Sequence, residues 1–272
     1  MDKRLRRILN TILLLVALIC AGVLLQQQLR WRASAKATER AAEIAHANPA
    51  PPAGQGNASA APAQKPDAGP EEDMDPVAED LLGIDLDALR AVNPDVVAWL
   101  TVPGAAISHP IVLGPDNDYY LHHTWEKKWN GGGAIFLDCR SSPDFEGFHT
   151  IIYGHRMQND TMFGPLHRYA AQDFWAEHPY AYIMDGKCVR RYQIFAAWEP
   201  SVTSTVYALK PDSQEARQEM IDQCLDGSVI DTGVVPGTED KLLTLSTCAE
   251  SGHETRWVVQ ARLEEVYPAQ EE

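Results

Sequence analysis

Leu242-Leu243-Thr244-Leu245-Ser246-Thr247-Cys248 is a β-prone run that ends on a thiol. A polar stretch, Ala249 to Thr255, follows it, and a second β-prone run opens at Arg256, eight residues after the cysteine. Two such runs around a short polar gap read as a hairpin. Pairing them brings Arg256 back beside Cys248. The sheet then presents the thiol at a strand end, next to a cation. A nearby cation favours the thiolate, and a guanidinium can also donate hydrogen bonds to a carbonyl that is gaining negative charge.

Outward from this hairpin, the region from about Asp75 reads as one globular domain built mostly of strands. Turn residues separate the β-rich runs Val96–Val102, Ile107–Leu113, Ala134–Asp138, His149–Tyr153, Tyr180–Asp185, Val189–Trp198, Lys241–Ser246 and Arg256–Val266. Eight strands at this spacing predict a closed barrel or a sandwich. Pro76 to Val92 carries apolar residues at helical spacing, interrupted at Gly83, and predicts one or two short helices. Two helical insertions break the strand series. Pro165 to His178 places Leu166, Tyr169, Ala170, Phe174 and Trp175 on one face. Ser213 to Leu225 does the same with Ala216, Met220, Ile221, Cys224 and Leu225, and Pro211-Asp212 offers a start signal.

The 272 residues carry 23 Lys+Arg against 38 Asp+Glu, a net charge of −15. The imbalance is uneven. Residues 1–32 hold six basic groups (Lys3, Arg4, Arg6, Arg7, Arg30, Arg32) and one acidic group, Asp2. The remainder is strongly acidic and lacks the basic face that nucleic-acid binding needs. Between the two basic clusters, Ile8 to Leu25 is an uncharged run whose only polar residues are Asn10 and Thr11. Its length reaches the lower limit for a membrane-spanning helix. A cleaved signal peptide would show a shorter run and a small-residue cleavage site, and no clean A-x-A follows this one. Four basic residues precede the run and two follow closely, which predicts a cytoplasmic N-terminus and an external body. The expected division is a basic tail over 1–7, an anchor over 8–26, a linker over 27–75 and a catalytic domain over 76–272. Within the linker, Ala33 to Ala47 can continue a helix. Between Pro49 and Pro70, 16 of 22 residues are Pro, Ala or Gly, which reads as a semi-extended spacer holding the body away from the bilayer.

Five cysteines, at 20, 139, 188, 224 and 248, form no C-x-x-C pair, so neither a disulfide framework nor a zinc knuckle is signalled. Cys139, after Phe136-Leu137-Asp138, is the rival nucleophile. Cys188 falls in a hairpin turn, Cys224 on an apolar helix face and Cys20 in the anchor. A thiol nucleophile needs a proton partner, usually histidine. His155 follows Thr150-Ile151-Ile152-Tyr153-Gly154 and so tops another strand, at a glycine where the backbone can turn sharply. His253, between Cys248 and Arg256, competes with it. His109, before Pro110 inside a strand, reads as a packing residue. Gly131-Gly132-Gly133, in a loop with Trp125 and Trp129, is followed by neither Lys-Ser/Thr nor a helix start, so it is not a phosphate loop. Neither a metal nor another cofactor is expected.

These residues resemble a known family. Thr244-Leu245-Ser246-Thr247-Cys248 with Arg256-Trp257-Val258-Val259 is similar to the catalytic signature of sortases, membrane-anchored cysteine transpeptidases of Gram-positive bacteria. Ile151-Ile152-Tyr153-Gly154-His155 resembles that family's histidine motif, although Arg156 stands where asparagine is expected. Ser246, the N-terminal helices and the helix at Ser213–Leu225 point to class B. The resemblance covers residues 76–267. It implies an eight-stranded sortase barrel with N-terminal helices and two helical insertions. It also implies Cys248 as nucleophile, His155 as general acid/base and Arg256 as stabiliser of the substrate carbonyl and oxyanion. The implied partners are secreted proteins bearing a C-terminal sorting motif, and an amine of a peptidoglycan precursor or a pilin. Two other readings of the residues are a tethered cysteine hydrolase and a non-enzymatic binding module.

Overall fold

The computed structural model describes residues 3–47, 74–157, 159–248 and 254–269, with Cys248 described by its backbone. Eight strands form: β1 Val96–Val102, β2 Ile107–Leu113, β3 Ile135–Leu137, β4 His149–Gly154, β5 Tyr180–Met184, β6 Cys188–Trp198, β7 Leu242–Cys248 and β8 Arg256–Pro268. They close into a barrel in the order β1-β2-β3-β4-β7-β8-β6-β5. Each expected run is a strand, with ends moved by a residue or two. Cys188, expected in a turn, is buried at the start of β6. All neighbours are antiparallel except β2–β3 and β4–β7. A parallel pair cannot be joined by a tight turn. The long excursion through β5 and β6 separates β4 from β7, and residues 114–134 separate β2 from β3.

β7 shows why the chain folds this way. Leu243 and Leu245 point into the barrel, against Leu100, Ile111, Ile152 and Val259. Thr244 and Ser246 face outward, where the Thr244 hydroxyl lies 2.8 Å from His149 Nε2 and Ser246 Oγ lies 3.2 Å from the Tyr207 hydroxyl. Both faces are buried because α5, Gln214–Gly227, covers the outside of this sheet with Met220, Ile221 and Cys224. Ser213 caps that helix, its hydroxyl accepting from the Ala216 N–H at 3.1 Å, so the start lies just past the expected Pro211-Asp212 signal. In chain order the earlier helices are α1 Lys3–Ala45, α2 Pro76–Leu82, α3 Leu86–Val92 and α4 Gln172–Glu177. The expected break at Gly83 separates α2 from α3, which Asp75 and Asp85 cap through the Val77 and Ala88 N–H groups at 2.9 and 2.8 Å. A 3-10 segment, Gly164–Ala170, precedes α4, so the first insertion is two short helical pieces.

α1 runs unbroken through residues 27–45, inside the stretch read as linker. Ala37, Ala41 and Ala45 are buried against Leu86, Leu89, Val112 and Trp125. Alanines four apart make a smooth stripe that lets the helix lie close to α3 and β2. The packed body therefore reaches back to Ser34, which is also buried. Residues 48–73 lie outside the described set, and both of their flanks are fixed on the body. The Asp85 N–H donates to the Ala45 carbonyl at 2.9 Å, and Asp75 accepts from Tyr182 and Arg191. The helix allowed from Ala33 onward forms as far as Ala45, but composition gave no sign that it docks on the body. Toward the N-terminus, Ile12, Leu13, Leu14, Leu15, Val16, Leu18 and Ile19 are each more than half exposed. Among the described residues no helix is long and apolar enough to cross a membrane. Within the apolar run the described side chains are those of Asn10–Gly22.

Two buried histidines make stability depend on pH. His109 on β2 is buried, as expected of a packing residue, and so is His149 on β4. Burial pushes each imidazole down to about 4. The unfolded chain takes up these protons near pH 6.5, so between pH 6.5 and 4 it binds more protons than the fold does. Stability therefore falls as the pH drops through that window, by roughly 3 kcal/mol per histidine. Thermal unfolding at half-unit pH steps should show the midpoint falling between pH 6.5 and 4, with a shallower fall for His149→Gln. A midpoint flat across that range contradicts the assignment.

Candidate active site

Strand register places the three expected residues. β4 and β7 run parallel with Tyr153 opposite Ser246 and Gly154 opposite Thr247. β7 and β8 run antiparallel with Thr247 opposite Trp257 and Cys248 opposite Arg256. One step past Gly154 and Thr247 stand His155 and Cys248. The backbone positions His155, Cys248 and Arg256 thus form a row across three adjacent strands at one end of the barrel, at the strand spacing of about 4.8 Å. Cys139 falls elsewhere. It follows β3, which is antiparallel to β4, so it lies toward the His149 end of that strand, roughly 15 Å along the sheet from His155. Cys139 is exposed, and its N–H donates to Asn117 Oδ1. His253 lies outside the described residues. Among the described residues no group of three His, Cys, Asp or Glu could hold a metal ion.

His155 is half-buried, and its Nε2 lies 2.8 Å from the Leu121 carbonyl oxygen. A carbonyl only accepts, so Nε2 carries the hydrogen, and Nδ1 is the nitrogen of the neutral ring that takes up and gives back a proton. The backbone of His155 is held as well, its carbonyl accepting from the Phe163 N–H at 3.0 Å. Gly154 precedes it for a reason other than the sharp turn expected from sequence. Gly154 belongs to β4 and is not among the glycines of positive φ. A methyl group there would sit 2.5 Å from Ile135 Cδ1 and 2.8 Å from the Phe163 ring, so the strand packs too tightly for a side chain.

The surroundings of His155 contain residues the sequence did not single out. Leu121 ends a segment fixed at its start by Asn117, whose amide donates to the buried Asp138 carboxylate at 3.1 Å. Arg140 and the Tyr153 hydroxyl bond the same carboxylate. Burial alone would raise the Asp138 pKa, and these donors, Arg140 first, hold it below the usual range. Gly133 lies on the other side. Its φ is +60°, and a methyl group there would meet the Tyr120 oxygen at 2.5 Å, the Leu121 oxygen at 2.8 Å and His155 Cδ2 at 3.1 Å. Gly133→Ala should therefore push the Leu121 carbonyl and the imidazole apart and lower kcat by about tenfold or more, because small misplacements of catalytic groups are costly. Steady-state kinetics beside a melting curve checks this. A variant with normal kcat would show that Gly133 is only a turn residue.

Arg256 is half-buried at the first position of β8. Its N–H donates to the Pro200 carbonyl and its Nη1 to the Thr255 carbonyl, at 3.0 and 2.8 Å. The next residue, Trp257, donates its indole N–H to the Leu166 carbonyl at 2.9 Å, tying the start of β8 to the first helical insertion. A thiol between an imidazole and a guanidinium can carry nucleophilic acyl transfer.

Comparison with known proteins identifies the family and the barrel fold. The family model described as a sortase domain matches residues 100–264. Sortase B of Listeria monocytogenes is 35% identical over 179 residues, covering 64% of this chain and 72% of that protein. The solved Staphylococcus aureus sortase B–substrate complex superposes with a TM-score of 0.62 at 28% identity, covering 66% of this chain and 84% of that one. A structure of sortase B complexed with triglycine superposes at 0.63 and 28% identity, covering 66% and 85%.

Proposed function

The chain belongs to the sortase family, in class B, and from that premise we propose that Cys248, His155 and Arg256 carry its cysteine transpeptidase chemistry on a C-terminal sorting motif of secreted proteins. The observation that carries the assignment is the backbone row His155, Cys248, Arg256 across β4, β7 and β8. The Cys248 thiolate attacks the scissile carbonyl and forms a C–S bond. The carbonyl π electrons move to oxygen, and Arg256 with nearby backbone N–H groups holds the resulting oxyanion. As the tetrahedral intermediate collapses, the C–N bond breaks and His155, as imidazolium, gives its Nδ1 proton to the leaving amine. The Leu121 carbonyl keeps the ring oriented for both steps. An incoming amine then attacks the thioester carbonyl and forms a C–N bond, its proton passes to the now neutral His155, and the C–S bond breaks to release the product and regenerate the Cys248 thiolate. An amine attacks a thioester readily, which suits transfer. The acceptor is a peptidoglycan-precursor amine or a pilin amine, and the similar triglycine complex supports a glycine amine.

We further propose that residues 8–26 anchor the protein in the membrane, with residues 1–7 cytoplasmic and the catalytic domain in the cell envelope. The uncharged run Ile8–Leu25, its exposed apolar side chains and the basic residues ahead of it support this reading. Incubating the full-length chain in detergent with a sorting-motif peptide library, with and without triglycine, tests the reaction. Mass spectrometry should find peptide–triglycine ligation products replacing the free acid when triglycine is present. Free acid alone, whatever the amine concentration, would make the protein a hydrolase.

A further inference from the structure

Residues 122–130 form a tight hairpin between α1 and the active site. His123 bridges Trp129, the Thr124 N–H donates to the Lys128 carbonyl, and the Asn130 N–H donates to the His122 carbonyl, both at 2.8 Å. Its outer part grips α1. Trp125 is buried and donates its indole N–H to the Ala37 carbonyl at 2.7 Å, while Glu126 pairs with Arg40 at 2.8 Å. Its inner end is Leu121, whose carbonyl holds His155 Nε2. One buried side chain links the two ends. The Asn93 amide donates both to the Trp125 carbonyl and to the Tyr120 hydroxyl, and that hydroxyl in turn donates to Asp95 at 2.7 Å. The Tyr120 carbonyl accepts from the Ala134 N–H at 2.9 Å, just past Gly133. A continuous chain of hydrogen bonds and buried contacts thus runs from Ala37 through Trp125, Asn93 and Tyr120 to the carbonyl that orients His155. On the docked stripe of α1, Ala41 has no exposed surface.

We infer that the docked half of α1, residues 34–45, is a working part of the catalytic site, and that Trp125 is a positioning residue for His155. By holding Trp125, α1 fixes the Leu121 carbonyl and with it the tautomer and tilt of the imidazole. The inference rests on His155 as the acid/base, but the position of its ring can be read without turnover. It also assigns α1 a second role, because the segment leaving the membrane is the one that completes the site.

The test uses the full-length chain in detergent micelles, as wild type, Trp125→Phe and Ala41→Arg. Trp125→Phe keeps a buried aromatic ring but loses the indole donor and some buried volume, and Ala41→Arg forces α1 off its seat. The 15N imidazole spectrum, with the His155 signal assigned from a His155→Gln sample, reports the Nε2–H tautomer. Kinetics on the best-processed member of a sorting-motif peptide library report kcat and KM. In both variants the His155 signal should leave the Nε2–H pattern. The Trp125→Phe kcat should fall about tenfold with KM within about twofold, the split expected when a group acts in the transition state. The melting curve should retain a single transition. Unchanged His155 signals in both variants would overturn the inference, whatever the kinetics. A wild type that turns over no peptide, with His155 signals that do shift, would overturn the role of His155 and leave its positioning by α1 standing.

Discussion

His155→Ala lowers kcat/KM for peptide transfer by about 10³-fold, whereas His253→Ala leaves it near wild type. In the sequence His253 competes as the histidine between Cys248 and Arg256, while His155 is favoured because it tops a strand and sits in the motif that resembles the sortase histidine motif. They differ in support. His155 follows a strand in register with β7, stands one step past the last paired residue, and has its Nε2 fixed by a backbone carbonyl. Removing it takes away the donor for the leaving amine and the acceptor for the incoming one, so acylation and deacylation both slow. A small amine base such as imidazole added to the buffer should restore part of the rate in His155→Ala. If His253→Ala alone abolished turnover, the assignment of the proton carrier to β4 would be wrong.

Arg256→Ala should cost about 10²–10³ in kcat with the fold intact, the usual loss when one oxyanion donor is removed. The residue is paired across the ladder with Cys248, its backbone N–H donates to the Pro200 carbonyl, and its Nη1 donates to the Thr255 carbonyl. A guanidinium there donates along two directions from one planar group, which an ammonium cannot reproduce. Arg256→Lys should therefore recover only part of that loss in kcat. Pre-steady-state acylation, measured apart from the transfer step, separates the effects. An Arg256→Ala enzyme that acylates at the wild-type rate would remove Arg256 from the first step.

Much of this was legible in the sequence because it is written in local pattern. The eight strands show as β-rich runs between turn residues, and the β7–β8 hairpin follows from its eight-residue offset. The parallel pairing of β4 with β7 was not legible, because nothing local records which distant strand becomes a neighbour. The long excursion through β5, β6 and α5 separates the two strands in the chain. The partner of His155 was hidden for another reason. It is the Leu121 carbonyl, and a backbone oxygen has no residue signature. Gly133 did carry a signal, three glycines directly before a strand, and that run marks the close approach of backbone to the imidazole. Residues 34–45 lie in the stretch read as linker, where Ala33 to Ala47 could continue a helix, but nothing in the alanines told a free helix from one docked on the body. Trp125 and Glu126, which grip that helix, lie nearly ninety residues away in the chain.

The central claim is that Cys248 carries the acyl group, and intact-mass and peptide-mapping mass spectrometry of the full-length chain tests it most directly. After incubation with sorting-motif peptides and no amine, the protein should gain the mass of the cleaved acyl fragment on the peptide containing Cys248, and triglycine should discharge it. Cys248→Ala should show no adduct and no transfer while keeping the wild-type melting curve. An adduct on Cys139, or undiminished transfer by Cys248→Ala, would contradict the account.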